Sequence, residues 1–153
     1  SDPYYSPVRL LCRYRAEVTD GPSVIGATSE ERAETRMWNR RFDTRSLEPM
    51  TLAVRSAEAI GLFKDRYRVI PHAADDLKAT VQDSWAWLEP QMAGKTFVCG
   101  DRFTLADIQL FAFADFGALI GQGIPESLSN LQAWFKRVTE RPSVVASVHP
   151  SEA

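Results

Sequence analysis

An all-α helical bundle is the fold class this sequence predicts, and three observations predict it. Residues 105–120 are apolar or glycine except at Asp107, Gln109 and Asp115, which reads as a core helix. Leu77, Val81, Trp85 and Leu88 recur at i, i+4, i+8 and i+11, the spacing of one helix face. Leu131, Trp134, Phe135 and Val138 repeat that pattern near the end of the chain. A chain of 153 residues, 44% hydrophobic and 25% charged, can bury one such core.

In chain order, residues 6–18 predict a short helix, with Pro7 in the first turn and Leu10, Leu11 and Tyr14 on one face. Asp20-Gly21-Pro22 marks a connecting loop. Thr28 and Glu31 then have the spacing of a capping box and open a helical region to about residue 59. Pro49 lies inside that region and should kink or break it, because it lacks an amide and crowds the preceding turn. Residues 61–71 read as an irregular link, and a helix follows over about 72–93, with Pro90 bending its last turn and Gly94 stopping it.

The core helix starts at Gly100-Asp101-Arg102-Phe103-Thr104-Leu105-Ala106-Asp107-Ile108. Thr104 suits the N-cap, and Asp107 can reach back to the Thr104 amide, where its charge also suits the helix dipole. Phe103 and Ile108 flank the box at hydrophobic-staple positions. Gly121-Gln122-Gly123-Ile124-Pro125 is a loop, and Ser127 or Ser129 can cap the last helix. Arg141-Pro142 should end it, leaving residues 143–153 as a tail.

The region 28–59 carries two apolar faces. Ala33, Met37, Leu47 and Val54 lie on one side; Trp38, Phe42 and Pro49 fall within about 40° of each other on another, at 100° per residue. The first face is expected to join the bundle. The second either packs within the same domain or borders a ligand cleft or another domain. Arg36, Arg40, Arg41 and Arg45 form a basic strip on the same helix. Interleaved Glu34, Asp43 and Glu48 make it readable as a solvated face, and an anion-facing or dimer-facing strip is the other reading.

Composition narrows the function classes. A net charge of −2 and a pI near 5.7 give no support to a nucleic-acid partner. Cys12 and Cys99 lie far apart and read as reduced thiols; with His72 and His149 they make no metal-type spacing. The apolar run at 105–120 is too short and too interrupted by acids for a membrane span. No nucleophile–base pair stands out to support an independent enzyme.

Several stretches carry a resemblance. Glu30-Glu31-Arg32-Ala33, Met37-Trp38-Asn39-Arg40-Arg41, Trp87-Leu88, the Gly100–Asp107 run and Trp134-Phe135-Lys136-Arg137-Val138-Thr139-Glu140-Arg141-Pro142 resemble bacterial cytosolic glutathione S-transferases in order and spacing. The Thr-x-Ala-Asp segment is the most specific of these. The resemblance implies the family's C-terminal helical domain over residues 28–153, with residues 1–27 as the last helix of a thioredoxin-like half plus a linker. Leu10-Leu11-Cys12-Arg13-Tyr14 resembles that last helix, but Pro7 and Val8 stand where the family has an acid and a serine that grip glutathione.

What the resemblance implies for function follows from that match. The chain is expected to line an apolar co-substrate pocket and a dimer interface, through Trp38, Arg41, Phe42, Arg45 and Pro49, while Thr104 and Asp107 are structural. No catalytic residue and no cofactor is expected in this chain, although a full-length relative would use glutathione. The expected partners are a thioredoxin-like domain or an apolar small molecule, and a second copy of the chain, in the cytoplasm. Two classes stay open: the helical part of a glutathione transferase, or a stand-alone helical binding or assembly module derived from that family.

Overall fold

In the computed structural model, which describes residues 23–147, the first helix begins where the spacing of Thr28 and Glu31 places it. Helix α1 (Ser29–Phe42) is capped by Thr28, whose hydroxyl accepts from the Glu31 amide at 3.2 Å. The Glu31 carboxylate accepts in return from the Thr28 and Ala27 amides, at 3.3 and 2.7 Å. The expected segment 6–18, with Pro7, Val8, Cys12 and Tyr14, lies outside the described residues, as does His149.

The region 28–59 breaks at a different place, and for a different reason, than a proline kink. Residues Asp43–Leu47 form one wide π-turn, and helix α2 (Glu48–Ser56) continues from it with Pro49 in its first turn. The Glu48 amide donates to the Asp43 carbonyl, five residues back. Proline in the first turn has no amide to lose, and the wider turn takes up the change of register before it.

A short helix α3 (Ile60–Phe63) lies in the stretch expected to be irregular. The helix expected over 72–93 is helix α4 (Ala74–Leu88), entered through a 3₁₀ turn Pro71–Ala73 and left through another, Glu89–Met92, which holds Pro90. Helix α5 (Leu105–Leu119) follows, then α6 (Ser129–Thr139) and a short α7 (Pro142–Val145). Helix α7 lies in the stretch read as tail: Pro142 ends one helix and starts the next, since its fixed φ suits a first turn. No strand is present among the described residues, and the architecture is all-α.

Helix α2 packs along α4, and α1 packs against α5. The core holds Val81, Trp85 and Leu88 of α4, Leu110 and Ala114 of α5, and Leu131, Trp134 and Val138 of α6. Trp38 and Phe42 belong to this core, so of the two readings of their face, packing within the domain holds, and the pocket-lining role expected of these two is corrected: Phe42 is 1% exposed, whereas Met37, assigned to the bundle side, is 38% exposed. Ala33 is exposed as well. The buried stripe of α1 is Thr35, Trp38, Asn39 and Phe42, at i, i+3, i+4 and i+7. Two of its members are polar, and counting only apolar residues missed the stripe. Thr35 donates to the Glu31 carbonyl at 3.0 Å, and Asn39 to the Leu105 carbonyl at 3.4 Å, so both are paired inside the core.

Helix α5 is likewise not covered all round. Leu105, Ala106, Asp107, Leu110, Ala114 and Gly117 are buried, while Ile108, Ala112, Phe116 and Leu119 are exposed. Gly117 has a definite packing reason. A Cβ there would stand 2.8 Å from the Gln122 carbonyl oxygen and 3.0 Å from the Met50 terminal methyl. The loop after α5 therefore folds back onto it, and Gln122 accepts from the Trp85 indole at 3.1 Å.

Candidate functional site

Thr104 and Asp107 form the second capping box, and tertiary packing converts it into a buried junction. The Asp107 Oδ2 accepts from the Thr104 amide at 2.9 Å and from its hydroxyl at 3.2 Å. Its Oδ1 accepts from the Val98 amide at 2.8 Å and from the Trp134 indole at 3.0 Å. The carboxyl therefore joins the cap of α5, the turn before it and the middle of α6. Burial pushes this carboxyl up from its ordinary value, and the hydrogen bonds it accepts oppose that shift. Cys99 lies beside it, buried, with its sulfur 3.6 Å from the Thr104 hydroxyl, and burial raises this thiol too. A raised thiol with no base beside it is not poised as a nucleophile.

Phe103, expected to staple against Ile108, packs edge-on against Phe97 at 5.4 Å beneath the Arg141 guanidinium, while Ile108 is exposed. The serine cap expected for α6 is replaced by a distant residue. Glu89, at the end of α4, accepts from the Asn130 and Leu131 amides at 2.9 and 3.0 Å, so a carboxylate from another element caps the helix.

The residues expected to line a pocket separate into two groups. Trp38 and Phe42 are core, with ring centroids 5.7 Å apart, and Pro49 is half-buried in the first turn of α2. Arg41 and Arg45 are exposed and lie over indole rings: Arg41 5.2 Å from Trp38 and Arg45 4.3 Å from Trp87. Lys95 adds a third cation, 5.0 Å from the Trp38 ring. Lys95 has no motif to mark it in the sequence, and Trp87 is marked there only as part of the resemblance.

A polar bridge joins α1 to α5 beside this cluster. Asn39 donates to the Gln109 side-chain oxygen, and Gln109 donates to Asp43 at 2.6 Å. Gln109 was legible as an interruption of the apolar run, but its partners were not. Among the described residues no group of three or more His, Cys, Asp or Glu is placed to hold a metal ion. Among the same residues no helix is long and apolar enough to cross a membrane.

Known proteins were compared with this chain. The family model "Glutathione S-transferase, C-terminal domain" matches residues 62–142. Glutathione S-transferase 2 of Saccharomyces cerevisiae is 27% identical over 130 residues, covering 84% of this chain and 55% of that protein. The crystal structure of a glutathione S-transferase domain-containing protein from Marinobacter aquaeolei superposes with a TM-score of 0.78 at 32% identity, over 86% of this chain and 64% of that one. Gtt2 from Saccharomyces cerevisiae superposes with a TM-score of 0.80 at 24% identity, over 89% of this chain and 65% of that one, a likeness of fold. The chain spans 55 to 64% of the length of the curated relatives it matches.

Proposed function

Since this chain belongs to the glutathione S-transferase family through its C-terminal domain, we propose that it is the helical half of a glutathione S-transferase-like protein. In this reading it packs against a thioredoxin-like domain and lines the apolar co-substrate side of the site, and it is not catalytic alone. The observation that carries the reading is the uncovered side of α5. Ile108, Ala112, Phe116 and Leu119 follow one another at i, i+4, i+8 and i+11, and all are exposed, Leu119 at 81%. The opposite side of the same helix is the domain core. Leu119 forgoes most of the roughly 1.5–3 kcal/mol that full burial gives a large apolar side chain, and Ile108 and Phe116, 38% and 36% exposed, forgo a smaller part of it, so a covering surface is expected.

The occupant we assign to this face is a thioredoxin-like domain, because matched relatives are longer than this chain by about the length of such a unit. Homodimerisation and a cytoplasmic setting belong to the same reading. Glutathione would then be held by the other half: the described residues here supply no exposed thiol or base beside a donor cluster that could stabilise its thiolate. Arg41 at the end of α1 and Arg45 in the π-turn after it, both exposed, are the residues left to border the co-substrate from the expected pocket set; Trp38 lies beneath Arg41.

Two measurements test the reading. Incubated with glutathione and 1-chloro-2,4-dinitrobenzene, the purified chain should show only the uncatalysed rate, and saturable glutathione-dependent turnover would overturn the assignment. Ile108→Ser with Leu119→Ser should lower binding of an apolar dye while leaving the urea midpoint nearly unchanged. A loss of stability on the scale of a core deletion would instead place that stripe inside the domain's own packing.

A further inference from the structure

The chain enters this domain across the start of two helices at once. Residues 23–26 form a turn in which the Gly26 amide donates to the Ser23 carbonyl at 3.3 Å and the Ser23 hydroxyl donates to the Gly26 carbonyl at 3.2 Å. Inside the turn, the Val24 carbonyl accepts from the Leu105 amide at 2.7 Å. That amide is the first of α5 and has no acceptor within its own helix. The Thr104 hydroxyl serves the next one, Ala106, at 3.3 Å. The cap of α5 is therefore completed by a carbonyl from far back in the chain.

The same turn is fixed to α1. The Ala27 amide donates to one Glu31 carboxylate oxygen at 2.7 Å, and the Arg32 guanidinium donates to the Ala27 carbonyl at 2.6 Å. The other Glu31 oxygen faces Arg102 at 3.5 Å, and Arg102 also holds Glu34 at 2.6 Å. Arg102 lies two residues before the Thr104 cap, so the contacts close a ring: Val24 to Leu105, Arg102 to Glu31, Glu31 to Ala27. Gly26 lets the turn lie this close. It is buried at φ +104, and a Cβ there would stand 2.7 Å from the Arg32 amide nitrogen and the Glu31 carbonyl carbon. Those atoms are helix backbone, which cannot give way, so any side chain at this position lifts the turn off α1.

We propose that residues 23–27 are a coupling strap, which ties the segment preceding Ser23 to the first turn of α5. That turn holds Asp107 and begins the uncovered stripe at Ile108. Seated, the strap supplies the acceptor that the first amide of α5 needs. Lifted, it leaves that amide to water and opens the ring that joins the starts of α1 and α5. Anything that pulls on or holds the preceding segment biases the choice between these two states. A loosened α5 biases it in return, because coupling between two positions is reciprocal. The strap is independent of which surface covers the stripe on α5.

Amide hydrogen exchange of the full chain, resolved by residue with NMR, reads whether the strap is seated. Gly26→Ala should raise exchange of the Leu105 amide about tenfold, the scale of one lost hydrogen bond, and leave Val81 and Trp85 in α4 near their wild-type rates. Gly94→Ala is the control. That glycine also has a positive φ, +71, but open space where its Cβ would stand, so the change adds backbone strain without touching the strap. Arg102→Gln opens the ring without strain at a glycine and should raise Leu105 exchange by a smaller factor; it decides the question if Gly26→Ala does not fold. In the return direction, Asp107→Asn should raise exchange of the Gly26 amide. Leu105 exchange unchanged in Gly26→Ala and Arg102→Gln, or raised as much in Gly94→Ala, would overturn the strap. So would an equal rise at Val81 and Trp85, which would mark a loss of global stability. An unmoved Gly26 amide in Asp107→Asn would overturn the coupling.

Discussion

The chain uses one capping motif twice, and the two copies have opposite surroundings. Thr28 with Glu31 opens α1 in water, and Thr104 with Asp107 opens α5 inside the core. The spacing and the reciprocal hydrogen bonds are the same. At the first box the Glu31 carboxyl is held below its ordinary value, chiefly by the Ala27 and Thr28 amides, since water still solvates its charge. At the second, burial outweighs similar donors, and the Asp107 carboxyl is raised. Charge–dipole logic describes the first box. The second is a tertiary junction that also starts a helix.

The largest test of this difference is Asp107→Ala. It strips the partner from the Val98 and Thr104 amides and the Trp134 indole, and each buried donor left unpaired costs about 1–3 kcal/mol. A loss on the order of 3 kcal/mol or more in urea melts is expected; a loss no larger than that of an ordinary surface cap would erase the contrast. Trp134→Phe keeps the ring packing but removes one donor from the same carboxyl. It should cost about 1–2 kcal/mol in the same measurement, and a neutral result would confine the junction to the backbone donors.

Titration sharpens the comparison further. A carboxyl raised above 3.8 in the folded state binds its proton more tightly there than in the unfolded chain. Its contribution to stability is complete below that pH and is lost as pH rises through the raised folded value. The stability difference between wild type and Asp107→Asn should therefore shrink as pH rises above 3.8. A difference that grows with pH would show that the donors outweigh desolvation. The smallest effect belongs to Glu31→Ala. Its midpoint shift should fall well below that of Trp134→Phe, and a comparable shift would mean that α1 depends on its exposed box as strongly as α5 does on the buried one.

Much of this fold was legible because it rests on interactions between residues a few positions apart. Both capping boxes were readable from Thr and an acid three residues on. The core positions Val81, Trp85 and Leu88, and Leu131, Trp134 and Val138, were readable from one dominant periodicity in each helix. The resemblance rested on the same local signal at Thr104-Leu105-Ala106-Asp107. The candidate site was less legible. Arg41 and Arg45 were picked out, and Trp38 lies one turn before Arg41, but Trp87 and Lys95 come from segments roughly 40 to 50 residues beyond Arg45, and no spacing rule reaches that far.

Sequence by itself determined roughly where α1, α4, α5 and α6 start, and the all-α class, while the short α3 and α7 lay in stretches read as link and tail. Tertiary structure alone decided which side of α1 is buried, because Thr35 and Asn39 count as polar until hydrogen-bond partners are found for them inside the core. It alone supplied Glu89 as the cap of α6 and Trp134 as the donor to Asp107. It also decided which side of an almost wholly apolar α5 this chain covers and which it leaves bare. The physical reason is common to all of these. A local hydrogen bond is specified by the few residues that make it, whereas burial depends on what arrives from elsewhere in the chain to take the place of water.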